Sequence, residues 1–315
     1  MYKRLKKYNK LVPLNVLNSL EINYMNILKH NMLLTSELIK IMRLFEKNEI
    51  KAVSFKGPTL SQFAYGDVTL RQYVDLDILI NEADLEKIQY ILEKADYFSE
   101  NILINKKLKI EVSKDMSYFN SKKNVSLEIH WRLFSFTNNY RSNYEYTFLD
   151  FNNIKLLNFD INFYIVYLSI HGSRHLWERL EWIVDINKII HKYNREINFN
   201  KIYEIASLFD NIKSINLALF LCYKLFNNPF IKNTFEQDII FLSDEILKRI
   251  DTKERASNLQ VFIFHCRLFS RIKFKMEHLF GLFKVNERDL LFINSKYKFM
   301  YLISKPVRLL IELFK

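Results

Sequence analysis

Apolar residues recur at helical spacing through residues 20–47, with Ile22, Met25, Met32, Leu38, Ile41, Met42 and Phe45 among them, which predicts an amphipathic helix or a helix pair. A short strand over residues 52–55 and a Lys56-Gly57 turn follow. The run Asp75-Leu76-Asp77-Ile78-Leu79-Ile80 changes the period to two. As a strand it places Asp75 and Asp77 on one face and Leu76, Ile78 and Ile80 on the other. Residues 82–94 read as a helix and residues 97–133 as short strands. In the last of these, VSLEIHWRL, Leu127, Ile129 and Trp131 share one face, and Glu128 and His130 the other. From about residue 144 the pattern is helical almost throughout. The expected fold class is α+β, a small mixed β-sheet flanked by helices and followed by a mostly helical domain. Three segments are expected: 1–48, helical; 49–140, the sheet-bearing core; and 141–315, helical with a basic C-terminal region. The polar stretch 137–142 marks the second boundary.

Two carboxylates on alternate strand positions repel each other and call for a cation. Mg²⁺, or Mn²⁺ in its place, is the hard ion that prefers carboxylate and phosphate oxygen. Glu128 joins them if its strand lies beside the Asp75 strand, so Asp75, Asp77 and Glu128 are the expected catalytic and metal-binding residues. Such a set suits two-metal transfer, in which one ion orients a triphosphate and the other lowers the pKa of an attacking hydroxyl. The competing reading is a strand entry and a solvated sheet face without chemistry.

Lys56-Gly57, Tyr65, Arg71 and Asp75-Leu76-Asp77, taken with LEIHWRL, resemble the uncharacterised nucleotidyltransferase family of the DNA polymerase β-like superfamily. His171-Gly-Ser-Arg-His175, Arg179-Leu-Glu-Trp-Ile-Val-Asp185 and the terminal SKPVRLLIELF are similar to later segments of the same family. The resemblance implies an Mg-dependent enzyme that moves a nucleoside monophosphate from an NTP, such as ATP, to a hydroxyl-bearing acceptor: a small molecule, glycan, peptide or tRNA. Lys56, Gly57, Tyr65 and Arg71 are then candidates for binding the triphosphate, and His171, His175 and Asp185 for lining the substrate site. The chain departs from the superfamily pattern in two places. Gly57 is followed by Pro58 and lies 18 positions before Asp75, and Val74 stands where a Gly usually precedes the first Asp.

His171, His175, Glu178, Trp182 and Asp185 are spaced to form one stripe if a single helix carries them. Two histidines four apart also raise Zn²⁺, but Gly172 stands where zinc peptidases carry Glu. A hydrogen-bonded core is the other reading of this stripe.

Only 4 Gly and 4 Pro occur in 315 residues, which favours long helices over a barrel or sandwich. The two cysteines, Cys222 and Cys266, are too far apart in apolar contexts to suggest a disulfide or a zinc pattern, so no disulfide partners are expected. Neither a secretion signal nor an uncharged stretch of membrane-spanning length is evident, and a cytoplasmic location is expected. Net charge is +12, and residues 255–315 hold 12 Lys and Arg against 4 acidic residues, so +8 of the net charge arises there. This segment suits RNA or an anionic membrane, which adds the inner face of the membrane as a second location. A catalytically inactive nucleotidyltransferase-like module docking on RNA or membrane, and a metal nuclease, are the alternatives.

Overall fold

The computed structural model describes residues 2–99, 113–134, 145–151, 153–232 and 234–281. These fall into two compact units, the first drawn from residues 1–100, 115–133 and 148–158 and the second from 101–114, 134–147 and 159–315.

In the first unit α1 (Leu14–Lys47) is one unbroken helix. The C-terminal half of its stripe enters the core, where Leu34, Leu38 and Phe45 are fully buried, while Ile22, Met25 and Met32 stay exposed. Then follow β1 (Ala52–Ser54), α2 (Gly57–Tyr65), β2 (Asp75–Ile80), α3 (Leu85–Lys94), β3 (Asp115–Asn120) and β4 (Val125–His130). The sheet is mixed as expected, in the order β1-β2-β4-β3. β2 and β4 are parallel, and β1 and β3 pair antiparallel at the edges. Leu76, Ile78, Leu127 and Ile129 are fully buried on the core face. Glu37 of α1, itself buried, accepts from Lys40 (2.8 Å), Lys123 (2.7 Å) and the Tyr97 hydroxyl (3.2 Å). It thereby ties the helix to the turn between β3 and β4.

Residues 146–159 correct the expectation of helix throughout the C-terminal half. They form a two-stranded sheet, β5 (Tyr146–Phe151) and β6 (Ile154–Phe159). Two aromatic-ended runs flank an Asn-Asn pair, and Asn153 takes φ +65°, a left-handed turn that Asn tolerates better than most residues.

The second unit is built from α4 (Ile161–Arg174), α5 (Leu180–Lys192), α6 (Phe199–Leu208), α7 (Ile212–Phe226), α8 (Gln237–Thr252), α9 (Asn258–Leu268) and α10 (Ile272–Gly281). α4 packs on α5, α6 and α7 and is buried along almost its whole length. Among the described residues no helix is long and apolar enough to cross a membrane. Of the basic region 255–315, for which RNA or membrane contact is expected, residues 282–315 with Lys296, Lys298, Lys305, Arg308 and Lys315 lie outside the described residues, as does the 137–142 boundary.

The single stripe from His171 to Asp185 is also corrected, because two helices carry it. α4 ends at Arg174, His175 caps it, and Leu176 and Trp177 take φ of +51° and +53° before α5 begins. Burial of Trp177, which is 0% exposed, holds this turn. Its indole lies against Gly172, where an added Cβ would meet ring atoms at 2.5 to 2.7 Å. Gly172→Ala should therefore destabilise the protein by about 1–3 kcal/mol despite the better helix propensity of Ala. Denaturant unfolding tests this, and a variant as stable as the parent would show that Trp177 can shift.

Candidate active site

The parallel register of β2 and β4 sets Asp75 opposite Ser126, Asp77 opposite Glu128 and Leu79 opposite His130. Asp77 is 2% exposed, and its Oδ1 accepts a hydrogen bond from Lys56 Nζ at 3.0 Å. His130 Nε2 lies 3.1 Å from the same oxygen and 3.3 Å from Glu128 Oε2, and His130 Nδ1 lies 3.5 Å from Asp115 Oδ2. Among the described residues, Asp77, Glu128 and His130 are the group of three whose ligand atoms come close enough to share an ion. Asp77 Oδ2 is buried and accepts no hydrogen bond there, a costly arrangement for a carboxylate oxygen. Three converging donors and one orphaned buried oxygen fit a divalent cation.

Asp75 and Asp77 are identical side chains two positions apart with opposite protonation behaviour. Burial, then the nearby Asp77 and Glu128 carboxylates, raise Asp75 to about 6 against a downward pull from Lys56 and Arg71. Burial pushes Asp77 up as well, but the Lys56 ammonium and the His130 ring outweigh it and hold Asp77 well below the usual carboxylate range. The difference is contact, since both counter-groups touch Asp77. Asp75 and Glu128 line a cavity of about 300 Å³ together with Val74, Ser117, Ser126 and Phe119.

Lys56 and Gly57 stand where β1 turns into α2. Gly57 opens the helix with φ +53°, and a Cβ there would lie 3.0 Å from the Asp75 carbonyl oxygen. Only glycine meets both demands without strain. Arg71 sits in the loop before β2, 9% exposed, with Nη1 donating to the Gln72 carbonyl at 3.3 Å. That loop is held by α1: Asn31 Nδ2 donates to the carbonyls of Val68 and Arg71, each at 2.8 Å, and the Tyr73 hydroxyl donates to the Val68 carbonyl at 3.0 Å. Tyr65 ends α2, eight residues beyond Gly57 and so about 12 Å along the helix axis.

In the second unit His171, His175 and Trp182 form a ring cluster, with centroids 4.7 Å apart for the two histidines and 5.2 and 5.6 Å from each to Trp182. Asp185 is fully buried. His265 Nε2 lies 3.0 Å from the Arg174 carbonyl oxygen, and burial pushes this histidine down to about 4.

Sequence reasoning passed over His130, Asp115 and Asn31 as site residues. The alternation of β4 had put His130 on the Glu128 face, which was the available signal. Asp115 and Asn31 are polar residues on remote elements, and no spacing rule links them to the site.

The model of the uncharacterised nucleotidyltransferase family matches residues 1–227, more than two thirds of the chain. The protein belongs to that family. It is thereby a nucleotidyltransferase, an enzyme of nucleotidyl transfer. Among curated proteins nothing matches it. Among solved structures, the lincomycin-bound lincosamide antibiotic adenylyltransferase LnuA is 16% identical, with a TM-score of 0.39 over 49% of this chain and 94% of its own. The antibiotic-resistance factor ANT(2'')-Ia is 10% identical, with a TM-score of 0.40 over 56% and 90%. An antigenic nucleotidyltransferase-like protein from Paracoccidioides brasiliensis is 14% identical, with a TM-score of 0.37 over 62% and 88%. Membership rests on the family match, not on these partial superpositions.

The raised Asp75 carboxyl has a consequence for the stability of this nucleotidyltransferase. Its folded pKa, about 6, exceeds the ordinary 3.8, so ionising it costs the folded state more than the unfolded one. That cost is absent below about pH 4, builds from about pH 4 to 6 and is complete above. Without divalent ions, Asp75→Asn should stabilise the protein at pH 7 by roughly 1–3 kcal/mol and change little near pH 4. Thermal unfolding at both pH values tests this, and a destabilised variant at pH 7 would mean that the charge is compensated.

Proposed function

We propose that this nucleotidyltransferase moves a nucleoside monophosphate from an NTP to a hydroxyl-bearing acceptor at the sheet face built by Asp75, Asp77 and Glu128, with Mg²⁺ or Mn²⁺. The observation that carries this reading is the parallel pairing that puts Asp77 beside Glu128 with one buried carboxylate oxygen unsatisfied. A divalent ion held by Asp77 and Glu128 would supply positive charge and Lewis acidity at the reacting phosphate.

The chain's own residues account for the rest. Lys56 and Arg71 are cations beside the carboxylates and suit triphosphate oxygens. The positive end of the α2 dipole, at Gly57, adds to their field. Asp75 faces the cavity, and its carboxylate is placed to take the acceptor's hydroxyl proton. The freed oxygen attacks the α-phosphorus, the bond to the β-phosphate oxygen breaks, and pyrophosphate leaves. In the second unit the part-exposed His171, His175 and Trp182 rings suit a planar substrate group. Asp185, fully buried, acts by holding its neighbours.

The direct test is incubation with each α-labelled NTP, Mg²⁺ or Mn²⁺, and a cell extract as the source of acceptor. Transfer of label into an acceptor is expected, and it should be lost in Asp77→Asn. Asn preserves the volume and an acceptor oxygen for Lys56, so the variant should fold while losing turnover. Near-parental transfer by it would remove the central assignment. Arg71→Ala should weaken NTP binding by roughly 1.5–3 kcal/mol, the range for hydrogen bonds to charged groups. Titration calorimetry tests this, and unchanged affinity would return Arg71 to a structural role. Labelled NTP that binds without any transfer in the parent protein would favour the inactive binding module.

A further inference from the structure

We propose that His130 is a direct metal ligand, that Asp115 orients it, and that this nitrogen makes the site prefer a first-row transition ion over Mg²⁺. The proposal rests on the reading that Asp77 and Glu128 hold a divalent ion, and it names which ion. Nε2 of His130 stands 3.1 Å from Asp77 Oδ1 and 3.3 Å from Glu128 Oε2. Neighbouring ligand atoms in an octahedral shell of about 2.1 Å radius lie about 3 Å apart. Nε2 is therefore spaced from a carboxylate oxygen of each residue as adjacent ligands of one ion are, and ligand atoms of all three residues lie within 4.8 Å of one another.

The far side of the ring supports the same assignment. Nδ1 faces Asp115 Oδ2 at 3.5 Å. Without an ion Nε2–H is placed to donate to Asp77 Oδ1; when an ion takes Nε2, the ring proton sits on Nδ1, on the side that the Asp115 carboxylate faces. The ring is 2% exposed and packs edge-on against Phe55, with centroids 5.2 Å apart, so its orientation is fixed before any ion arrives. A site of carboxylates and water alone suits Mg²⁺, whereas an imidazole favours transition ions. Lys56 also reaches Asp77 Oδ1, while Oδ2 keeps its full capacity for an ion.

The test uses the full chain and Mn²⁺ as the probe, alone and with a triphosphate whose α,β-bridging oxygen is replaced by methylene. Loss of the free Mn²⁺ signal in electron paramagnetic resonance gives the affinity, competition with Mg²⁺ gives the preference, and electron spin-echo modulation reports nitrogen bound to the ion. The expected result is imidazole nitrogen modulation on bound Mn²⁺, with Mn²⁺ held more tightly than Mg²⁺. Asp115→Asn should weaken Mn²⁺ binding by roughly 10- to 100-fold, the usual effect of losing the group that orients a ligating histidine. His130→Gln, which offers oxygen instead, should abolish the modulation and narrow the preference for Mn²⁺. Should that variant fail to fold, the parent spectrum alone decides. Bound Mn²⁺ without nitrogen modulation, or no preference over Mg²⁺, overturns this proposal and leaves the Asp77 and Glu128 reading standing. No ion bound in either condition overturns both.

Discussion

Placing Asp77 almost wholly out of water is the constraint around which the first unit is organised. A buried carboxylate without compensation costs several kcal/mol, so the fold must deliver opposite charge or hydrogen bonds to that point. Lys56 and His130 do so from opposite sides, and each sets a condition on the backbone. Lys56 reaches Asp77 only because the β1 to α2 turn packs against the Asp75 carbonyl, which a Cβ at position 57 would obstruct. His130 reaches it only in the register that sets Leu79 opposite it on β4, and a slip of one residue would turn the ring away.

The same geometry explains how two aspartates on one face acquire different properties. Asp77 takes both direct partners and stays ionised, while Asp75 faces the cavity and feels Lys56 and Arg71 only at longer range. A settled negative charge suits Asp77 to hold an ion. The division arises without different residue types. It depends on where β1 and β4 place their side chains, and on α1, whose Asn31 holds the Arg71 loop by two carbonyls.

Much of this was legible in the chain because strand periodicity is a short-range signal. The alternation in residues 75–80 and 125–130 gave the strands, their buried faces and the acidic positions. The hairpin at residues 146–159 was missed because its runs are short and lie within a long helical pattern, with only two asparagines to mark the reversal. The break between α4 and α5 was missed for a different reason. Spacing from His171 to Asp185 fits one helix, and the competing influence is tertiary, the burial of Trp177 against Gly172. Asn31, Asp115 and the edge-on packing of His171 against Trp182 depend on contacts between elements, which periodicity does not encode.

The two departures from the superfamily pattern fall where the backbone tolerates them. Pro58 occupies the first turn of α2, where its missing N–H would have had no partner within the helix, and its fixed φ favours the helical path. Val74 precedes β2, 56% exposed at the rim of the cavity, so its side chain displaces nothing from the core. Glycine is needed instead at position 57, where φ +53° and the close approach to Asp75 coincide. Flexibility lost before the first aspartate is thus separate from the close packing that the site requires. What Val74 changes is the wall of the cavity beside Asp75, the carboxyl proposed to receive the acceptor's proton.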